Sequence, residues 1–557
     1  MQMRQRLSLL GLFSAFLLIA SACTAPTSPT GEGQPAAPDQ PKPAAPDQPK
    51  PAAKTEPKYG GVLHTQKPED PPSYNLYRET TVNTNNTMSS AYDQLVRFDR
   101  LQPDKIVPEL AERWEVSPDG KTFTFSLVKG VKFHNGNPLT AADVKFTMES
   151  WVVSPLPKGE RNPRLGAYTA IERVETPDDF TVKLHLKYPN PSLLDNLAQG
   201  WNPIYDREFI EQNGGTEVMQ KQAMGTGPYK LKEHQRGVSV EMAKNPDYWV
   251  KGRPYLNGLK FFVIRDPNTY RAAVRTAQLH LGGGDKEYRS ELAKEIAEGK
   301  YIVKRVGSYS MQVLGLNTTR PPLDDPRVRQ AISLGIDRKE FIRLYYEGEA
   351  DIGGYLAPSG KWKLPDEELL KLPGYGTDRA ANQAKAKELL AQAGFPSGFK
   401  ARLVTRSTQG YVDLAVVVQG LLQKIGIDAE VAPQEAAMAF ETRQKGDFDM
   451  LPWTLVGSLD DPDHVYGQWY ICNAGANFSR LCDKDLDALF EKQSQTLDPK
   501  ERQKVVWEME KKAVSNAGFV MLSWGWQQAG YWAFVKNYEP HPSIYNNWQM
   551  RDVWLDQ

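Results

Sequence analysis

The stretch PELAERWEVSPDGKTFTFSLVKGVKFHNGNPLTAADVKF, residues 108–146, decides the class of fold. Thr122 to Leu127 alternates polar and apolar residues, the period-two pattern of a half-buried strand. SPDGK at 117–121 supplies a tight turn before it, and Asn135-Gly136 a second turn after it. Thr140, with Asp143 three residues on, has the layout of a capping box and opens a helix through ADVKFTMESW. Strand, turn and helix signals following one another so closely predict a mixed α/β body.

The same signals recur outward from this stretch, over Tyr59 to Gln557. Thr181 to Leu186 alternates as a second strand, and Gly227-Pro228 breaks the chain before a strand at Tyr229–Leu231. Asp378 precedes the helical RAANQAKAKELLAQA, which stops at Gly394, and Asp498-Pro499 starts a long charged helix toward Val514. An apolar helix from Leu414 to Lys424 ends at Gly426 and leads into a strand at Ala429–Val431. Gly282-Gly283-Gly284 lacks the spacing of a dinucleotide loop and reads as a turn.

The N-terminus sets the compartment. Arg4 and Arg6 precede an apolar run from Leu7 to Ala22, which ends in Ala20, Ser21, Ala22 and Cys23. Its 16 apolar residues fall short of a bilayer span and match a secretory signal cleaved before Cys23. From Thr24 to Lys58 the chain is rich in Pro, Ala, Gln and Lys, and PAAPDQPK occurs at 35–42 and again at 43–50. Such a segment builds no core. As polyproline II it reaches roughly 100 Å, enough to hold a folded body well away from an anchor.

Composition narrows the function. The 557 residues carry 68 Lys+Arg against 68 Asp+Glu; without residues 1–22 the balance is 66 against 68, a formal charge near −2. That balance argues against a nucleic-acid partner, and a composition only 40% apolar with 24% charged argues against a polytopic membrane protein. Three Cys exclude a disulfide scaffold or a Cys-based zinc ribbon. No phosphate loop, serine elbow or HExxH motif is present, and the His at 64, 134, 185, 234, 280, 464 and 541 are scattered. His464 in DDPDH lies beside three carboxylates, in what reads as a turn of solvated acids. No enzyme, metal site or cofactor is implied.

Several blocks carry a family resemblance. After 108–146 come GTGPYKL (225–231), KNPDYWVKGRPYLNGLKF (244–261), LGLNTTRPPLDDPRVRQAISLGIDR (314–338), AKELLAQAGFPSGF (386–399) and LLQKIGIDAEV (421–431). In sequence and in order they resemble the family 5 bacterial extracellular solute-binding proteins, the oligopeptide, dipeptide and nickel-binding group of ABC importers. The residues before Cys23 likewise resemble a bacterial lipobox, in which that Cys is acylated.

The resemblance implies a two-lobed, type II periplasmic-binding-protein-like α/β fold of three domains built from a discontinuous chain, with a hinge between the lobes. The boundaries it suggests are 59–100, 201–308 and 521–557 for lobe I, 101–200 for an inserted small domain and 309–520 for lobe II, after a 1–22 signal peptide and a 23–58 linker. It also implies a monomer, lipid-anchored outside the cell membrane through Cys23, that delivers a small-molecule or peptide ligand to ABC permease subunits.

The site residues follow from the same resemblance. ETRQKGDFDMLPWTLVGSLDDP (441–462) aligns with the cleft-lining stretch of peptide-binding members. The position of their peptide-amine Asp falls on Ser458, whose hydroxyl cannot supply the charge-assisted bond of a carboxylate. Asp460 or Asp461 is a nearby substitute, Arg443 stands where oligopeptide binders place a ligand-facing arginine, and Pro452 replaces another. Aromatic and sulfur-bearing candidates are Tyr309, Met311, Trp453, Tyr466 and Trp469. Cys472 and Cys482, in CNAGANFSRLC, resemble a loop disulfide of dipeptide-binding members.

Three readings follow: a peptide-binding importer lipoprotein, the same scaffold carrying an oligosaccharide or metal chelate, and an extracellular sensor or enzyme on a borrowed fold. The first two demand ligand-dependent closure without turnover. The third demands a product or a signalling partner.

Overall fold

The computed structural model describes residues 56–153, 162–472, 474–545 and 550–557. The expected signal peptide, Cys23 and nearly all of the Pro-rich linker lie outside them. Pro57 to Gln557 forms one compact unit. No helix among the described residues is long and apolar enough to cross a membrane.

Two four-stranded sheets build one part of this unit. The first runs in the order Val62–Lys67, Gly258–Val263, Ser239–Lys244, Tyr229–Gln235, with only its first pair parallel. The second is an antiparallel sheet of Ala111–Val116, Thr122–Leu127, Thr181–Leu186 and Ile171–Asp178. The strand expected over 122–127 forms over those residues because Phe123, Phe125 and Leu127 turn inward while the alternate positions stay part-exposed. The helix after it is Ala141–Thr147; the Asp143 carboxylate accepts from the Thr140 N–H at 2.9 Å and from its hydroxyl at 3.0 Å. One continuous apolar cluster, including Leu63, Phe125, Trp151 and Tyr205, joins both sheets.

The other part is a seven-stranded sheet. Its order is Leu281–Gly283, Phe519–Trp532, Tyr301–Leu316, Met450–Val456, Lys400–Arg406, Asp428–Gln434, with Ala350–Asp351 added to Phe519–Trp532. Met311, Val313, Leu451, Trp453 and Met521 enter one apolar cluster, and Leu314, Leu316, Met450, Val520 and Leu522 the other. The alternation means that both faces are covered, as central strands with near-continuous apolar runs require. Helices Arg379–Gln392, Gln409–Gln423 and Pro499–Asn516 close these faces; Asp378 and Asp498 cap two of them through the N–H groups of Ala381 and of Lys500 and Glu501.

Two long strands, Tyr301–Leu316 and Phe519–Trp532, pair antiparallel over most of their length and reach from one part to the other. Their register shifts between Gly307 and Met311. An interrupted ladder is a natural place for two bodies to pivot.

The glycine run corrects the reading of a turn. Leu281–Gly283 is a strand paired with Ala529–Tyr531. The glycines are needed for close approach: a Cβ on Gly282 would lie 2.7 Å from the Tyr301 hydroxyl, and one on Gly283 would lie 2.5 Å from the Tyr288 ring.

Candidate functional site: the seam between the lobes

The turn 457–461 follows the Met450–Val456 strand and leads into helix Pro462–Trp469. It emerges where a parallel strand ends, the side of an open α/β sheet on which ligands bind. It meets the segment 190–199, which contains helix Leu193–Leu197 and packs into the apolar cluster of the two four-stranded sheets. Leu459 is 3% exposed and belongs to the first lobe's apolar cluster although its neighbours in sequence belong to the second lobe.

Polar groups fasten the same junction. The Ser458 hydroxyl donates to Gln199 Oε1 at 2.7 Å, and the Ser458 N–H donates to His464 Nε2 at 3.2 Å. Burial pushes the His464 imidazole down to about 4, so it stays a neutral acceptor. Asp461 Oδ1 accepts from the Asp463 N–H at 2.9 Å, capping the helix, and from the Ser192 hydroxyl at 2.8 Å. Arg502 lies 3.2 Å from Asp461 Oδ2. Burial alone would raise the Asp461 carboxyl, but Arg502, Lys361 and the Ser192 hydrogen bond hold it below the ordinary carboxylate range. Asp463 bonds Ser192 at 2.8 Å and also Gln493 and Ser494.

In DDPDH, Asp461 and Asp463 are therefore paired with Ser192 and Arg502, and the stretch is not a turn of solvated acids. Asp461 spends both oxygens on the cap, Ser192 and Arg502, which withdraws it from the ligand-facing set. Ser458 spends its hydroxyl on Gln199.

Asp460 differs from both. Its Oδ1 accepts from the Ala357 N–H at 3.3 Å, while its buried Oδ2 has no hydrogen-bond partner. Burial, and then the nearby Asp104, push its carboxyl up to about 7. Tyr309, from the crossing strand, donates its hydroxyl to Asp104 Oδ1 at 3.3 Å. Lys361 bridges the lobes to Asp195 at 3.3 Å.

The remaining candidates divide into two groups. Met311 and Tyr466 are fully buried: the Met311 sulfur takes a 3.8 Å contact from the Tyr470 hydroxyl, and the Tyr466 hydroxyl bonds Glu510. Both belong to the second apolar cluster. Trp469 is also buried and meets His464 edge to face at 5.9 Å. Arg443 is held among rings, 4.8 Å from Trp453, 4.9 Å from Phe440 and 5.5 Å from Phe478, and burial lowers its pKa. Cys472 and Cys482 are bridged, and the loop they close carries Phe478 into this cluster and against Phe519.

Sequence reasoning missed Ser192, Gln199, Asp104, Asp195, Lys361 and Arg502. Each is distant in the chain from the residue it meets, and no spacing announces it.

Known proteins share this architecture. The profile of the bacterial extracellular solute-binding proteins, family 5 Middle, matches residues 105–477. The "Probable di/tripeptide-binding protein 5" of Pseudomonas aeruginosa is 29% identical over 444 residues, covering 75% of this chain and 82% of that one. The periplasmic binding protein DppA of Helicobacter pylori, solved with the peptide STSA, is 27% identical with a TM-score of 0.74, over 90% of this chain and 99% of that one. AgaA of A. tumefaciens R10, solved with agropinic acid, is 26% identical with a TM-score of 0.71, over 89% and 99%. The fold is the two-lobed, type II periplasmic-binding-protein fold. The chain belongs to the bacterial extracellular solute-binding proteins, family 5.

Proposed function

We propose that this protein is the substrate-binding lipoprotein of an ABC importer, which captures peptides between its lobes and delivers them to membrane permease subunits. Lobe I comprises 59–100, 201–308 and 521–557, the inserted domain 101–200 and lobe II 309–520; Cys23 carries the lipid and residues 24–58 the spacer. The observation that carries the reading is the seam itself, where Leu459, Ser458 and Asp461 of lobe II engage the first apolar cluster and Gln199 and Ser192 of the inserted domain. Such contacts exist only when the lobes are closed, so a ligand bridging them shifts the population toward closure, the form a permease can distinguish. Peptide as cargo is supported by the relatives named for di- and tripeptides and solved with a peptide.

A second reading keeps the transport role with a non-peptide cargo. It is favoured by Ser458, which replaces the carboxylate of peptide binders and is already bonded within the protein. The relative holding agropinic acid is consistent with it.

Thermal shifts of the full chain, refolded to remove co-purified ligand, against peptides, oligosaccharides and metal chelates separate the two. A ligand at a hundredfold excess over its Kd stabilises by about 2.7 kcal/mol. A shift with peptides supports the first reading; a shift with another class alone replaces it with the second.

A further inference from the structure

Helix Arg338–Tyr345 begins against its own preference. Its N-cap Asp337 accepts from the Glu340 N–H at 3.0 Å, yet the two residues that follow the cap are Arg338 and Lys339. The first turn of a helix carries the positive end of its dipole and favours acids, so two basic side chains there cost stability. Both line a cavity of about 380 Å³, within the range for small-ligand sites. Its apolar wall is Leu334, Ile336, Ile352, Leu369, Leu370 and Tyr375, and it shares no lining residue with the spaces around Tyr309 and Asp460.

The positive charge of this cavity is not cancelled from within. Asp337 pairs with Arg379 at 2.6 Å and Asp366 with Lys363 at 3.0 Å, which accounts for both acids of the lining. Glu510 also acts on Tyr375, but its oxygens accept from the Tyr355 N–H and the Tyr466 hydroxyl. Arg338 is 4% exposed, stacks 3.9 Å from the centre of the Tyr375 ring, and among the described residues makes no ion pair with a carboxylate. Its Nη1 donates to the Gly374 carbonyl at 2.7 Å and the Ser333 carbonyl at 3.3 Å, and its Nη2 to the Ser333 hydroxyl at 3.3 Å. These neutral oxygens satisfy donors without cancelling the charge. Nε has no hydrogen-bond partner. The Nε–H and the second Nη2–H share one edge of the planar guanidinium, and such an edge takes a carboxylate through two parallel bonds. A buried cation left half-satisfied costs stability and is retained where a partner arrives from outside.

We propose that this cavity is a second ligand site, separate from the seam, and that it takes a small carboxylate with an apolar body. The carboxylate meets Arg338 and the positive end of the helix, with Lys339 exposed at the rim, while the hydrocarbon lies against Leu334, Ile336, Ile352 and Leu369. Gly374 admits the guanidinium: at a φ of 84° a Cβ there would overlap the Ser333 carbonyl and lie 2.7 Å from Arg338 Nη1. An amine or a metal cation is repelled by the two uncancelled positive charges. The site is independent of what the seam captures.

The test uses the full chain as wild type and as Arg338→Gln, Lys339→Gln, Gln383→Trp and Leu459→Ala, with octanoate, octan-1-ol and octylammonium chloride as probes. Gln383 is half-buried on the cavity lining, so a tryptophan there fills the space and leaves Arg338 in place. Titration calorimetry is expected to give octanoate a Kd below about 1 mM in wild type, at least about tenfold tighter than octan-1-ol, and no binding of octylammonium. Octanoate affinity falls at least about tenfold in Gln383→Trp and in Arg338→Gln, falls about two- to fivefold in Lys339→Gln, and stays within about twofold in Leu459→Ala. If Arg338→Gln does not unfold cooperatively, the preference for octanoate over octan-1-ol and its loss in Gln383→Trp decide. Octan-1-ol binding as tightly as octanoate, octanoate affinity unchanged in Gln383→Trp, a loss in Leu459→Ala as large as in Gln383→Trp, or no binding of octanoate to wild type overturns the second site.

Discussion

The Ser458 hydroxyl reaches across the seam to Gln199 Oε1 at 2.7 Å, a bond between residues 259 positions apart in the chain. The residue beside it, Leu459, is buried in the opposite lobe's apolar cluster. In the proposed mode of capture, they form a latch made only in the closed arrangement. Burying a leucine contributes about 1.5–3 kcal/mol and a neutral hydrogen bond about 1 kcal/mol. Leu459→Ala is therefore expected to weaken ligand affinity by roughly ten- to a hundredfold, and Ser458→Ala by less than about tenfold, both measured by calorimetry against one ligand. Unchanged affinity in Leu459→Ala would remove the latch from the account.

Arg502 is 3% exposed and supports Asp461 at 3.2 Å and Asp463 at 3.9 Å. Removing it leaves the buried Asp461 and the half-buried Asp463 without their cation, a change that typically costs about 3–5 kcal/mol for a buried pair. Arg502→Met is expected to lower the Tm by roughly three to five degrees, read by differential scanning calorimetry. Because the folded Asp461 carboxyl lies below its unfolded value, its stabilisation is present above the unfolded pKa and is lost as pH falls through the folded one. In Arg502→Met that acid sensitivity is expected to diminish.

Asp460 has the opposite sign. Its folded carboxyl is pushed up to about 7 from 3.8, first by burial and then by Asp104, with Lys361 acting against them. The raised carboxyl costs the ligand-free form nothing well below pH 3.8, increasingly more as pH rises toward 7, and at most about 4 kcal/mol above that. Asp460→Asn is expected to match wild type in stability near pH 3 and to exceed it at pH 8, by denaturant unfolding without ligand. A difference independent of pH would show that the carboxyl titrates normally.

The Cys472–Cys482 bridge closes a short loop that carries Phe478 to the Arg443 cluster. Chain entropy assigns about 2–3 kcal/mol to a loop of this length. Cys472→Ser with Cys482→Ser is expected to lose that much in denaturant unfolding under oxidising conditions and to match wild type once both are reduced. No loss on removing the pair would mean that packing alone holds Phe478.

Local structure was legible in the chain. The Thr122–Leu127 and Thr181–Leu186 strands occupy the residues whose alternation announces them, and Asp378, Asp498 and the Thr140–Asp143 pair start the helices they cap. These features depend on neighbours a few residues away. The triple glycine misleads because a strand whose glycines admit Tyr301 and Tyr288 looks, in sequence, like a turn. The site resisted for a related reason. Arg502 lies 41 residues from Asp461, and Gln199 lies 259 from Ser458, so nothing near DDPDH shows that its acids are paired. Met311 and Tyr466 carry the composition of a binding pocket but the burial of a core, and composition alone does not separate the two.

Ligand-driven closure is the central claim, and the distance between the lobes tests it most directly. Val238 in the first lobe and Met438 in the second are 55% and 56% exposed, so Val238→Cys and Met438→Cys accept spin labels at the surface. Pulsed electron-electron double resonance on ligand-free protein should give a broad or long distance distribution that narrows and shortens when the ligand found by thermal shift is added. A distribution unmoved by a ligand that does raise the Tm would contradict closure between the lobes and, with it, the proposed mode of capture.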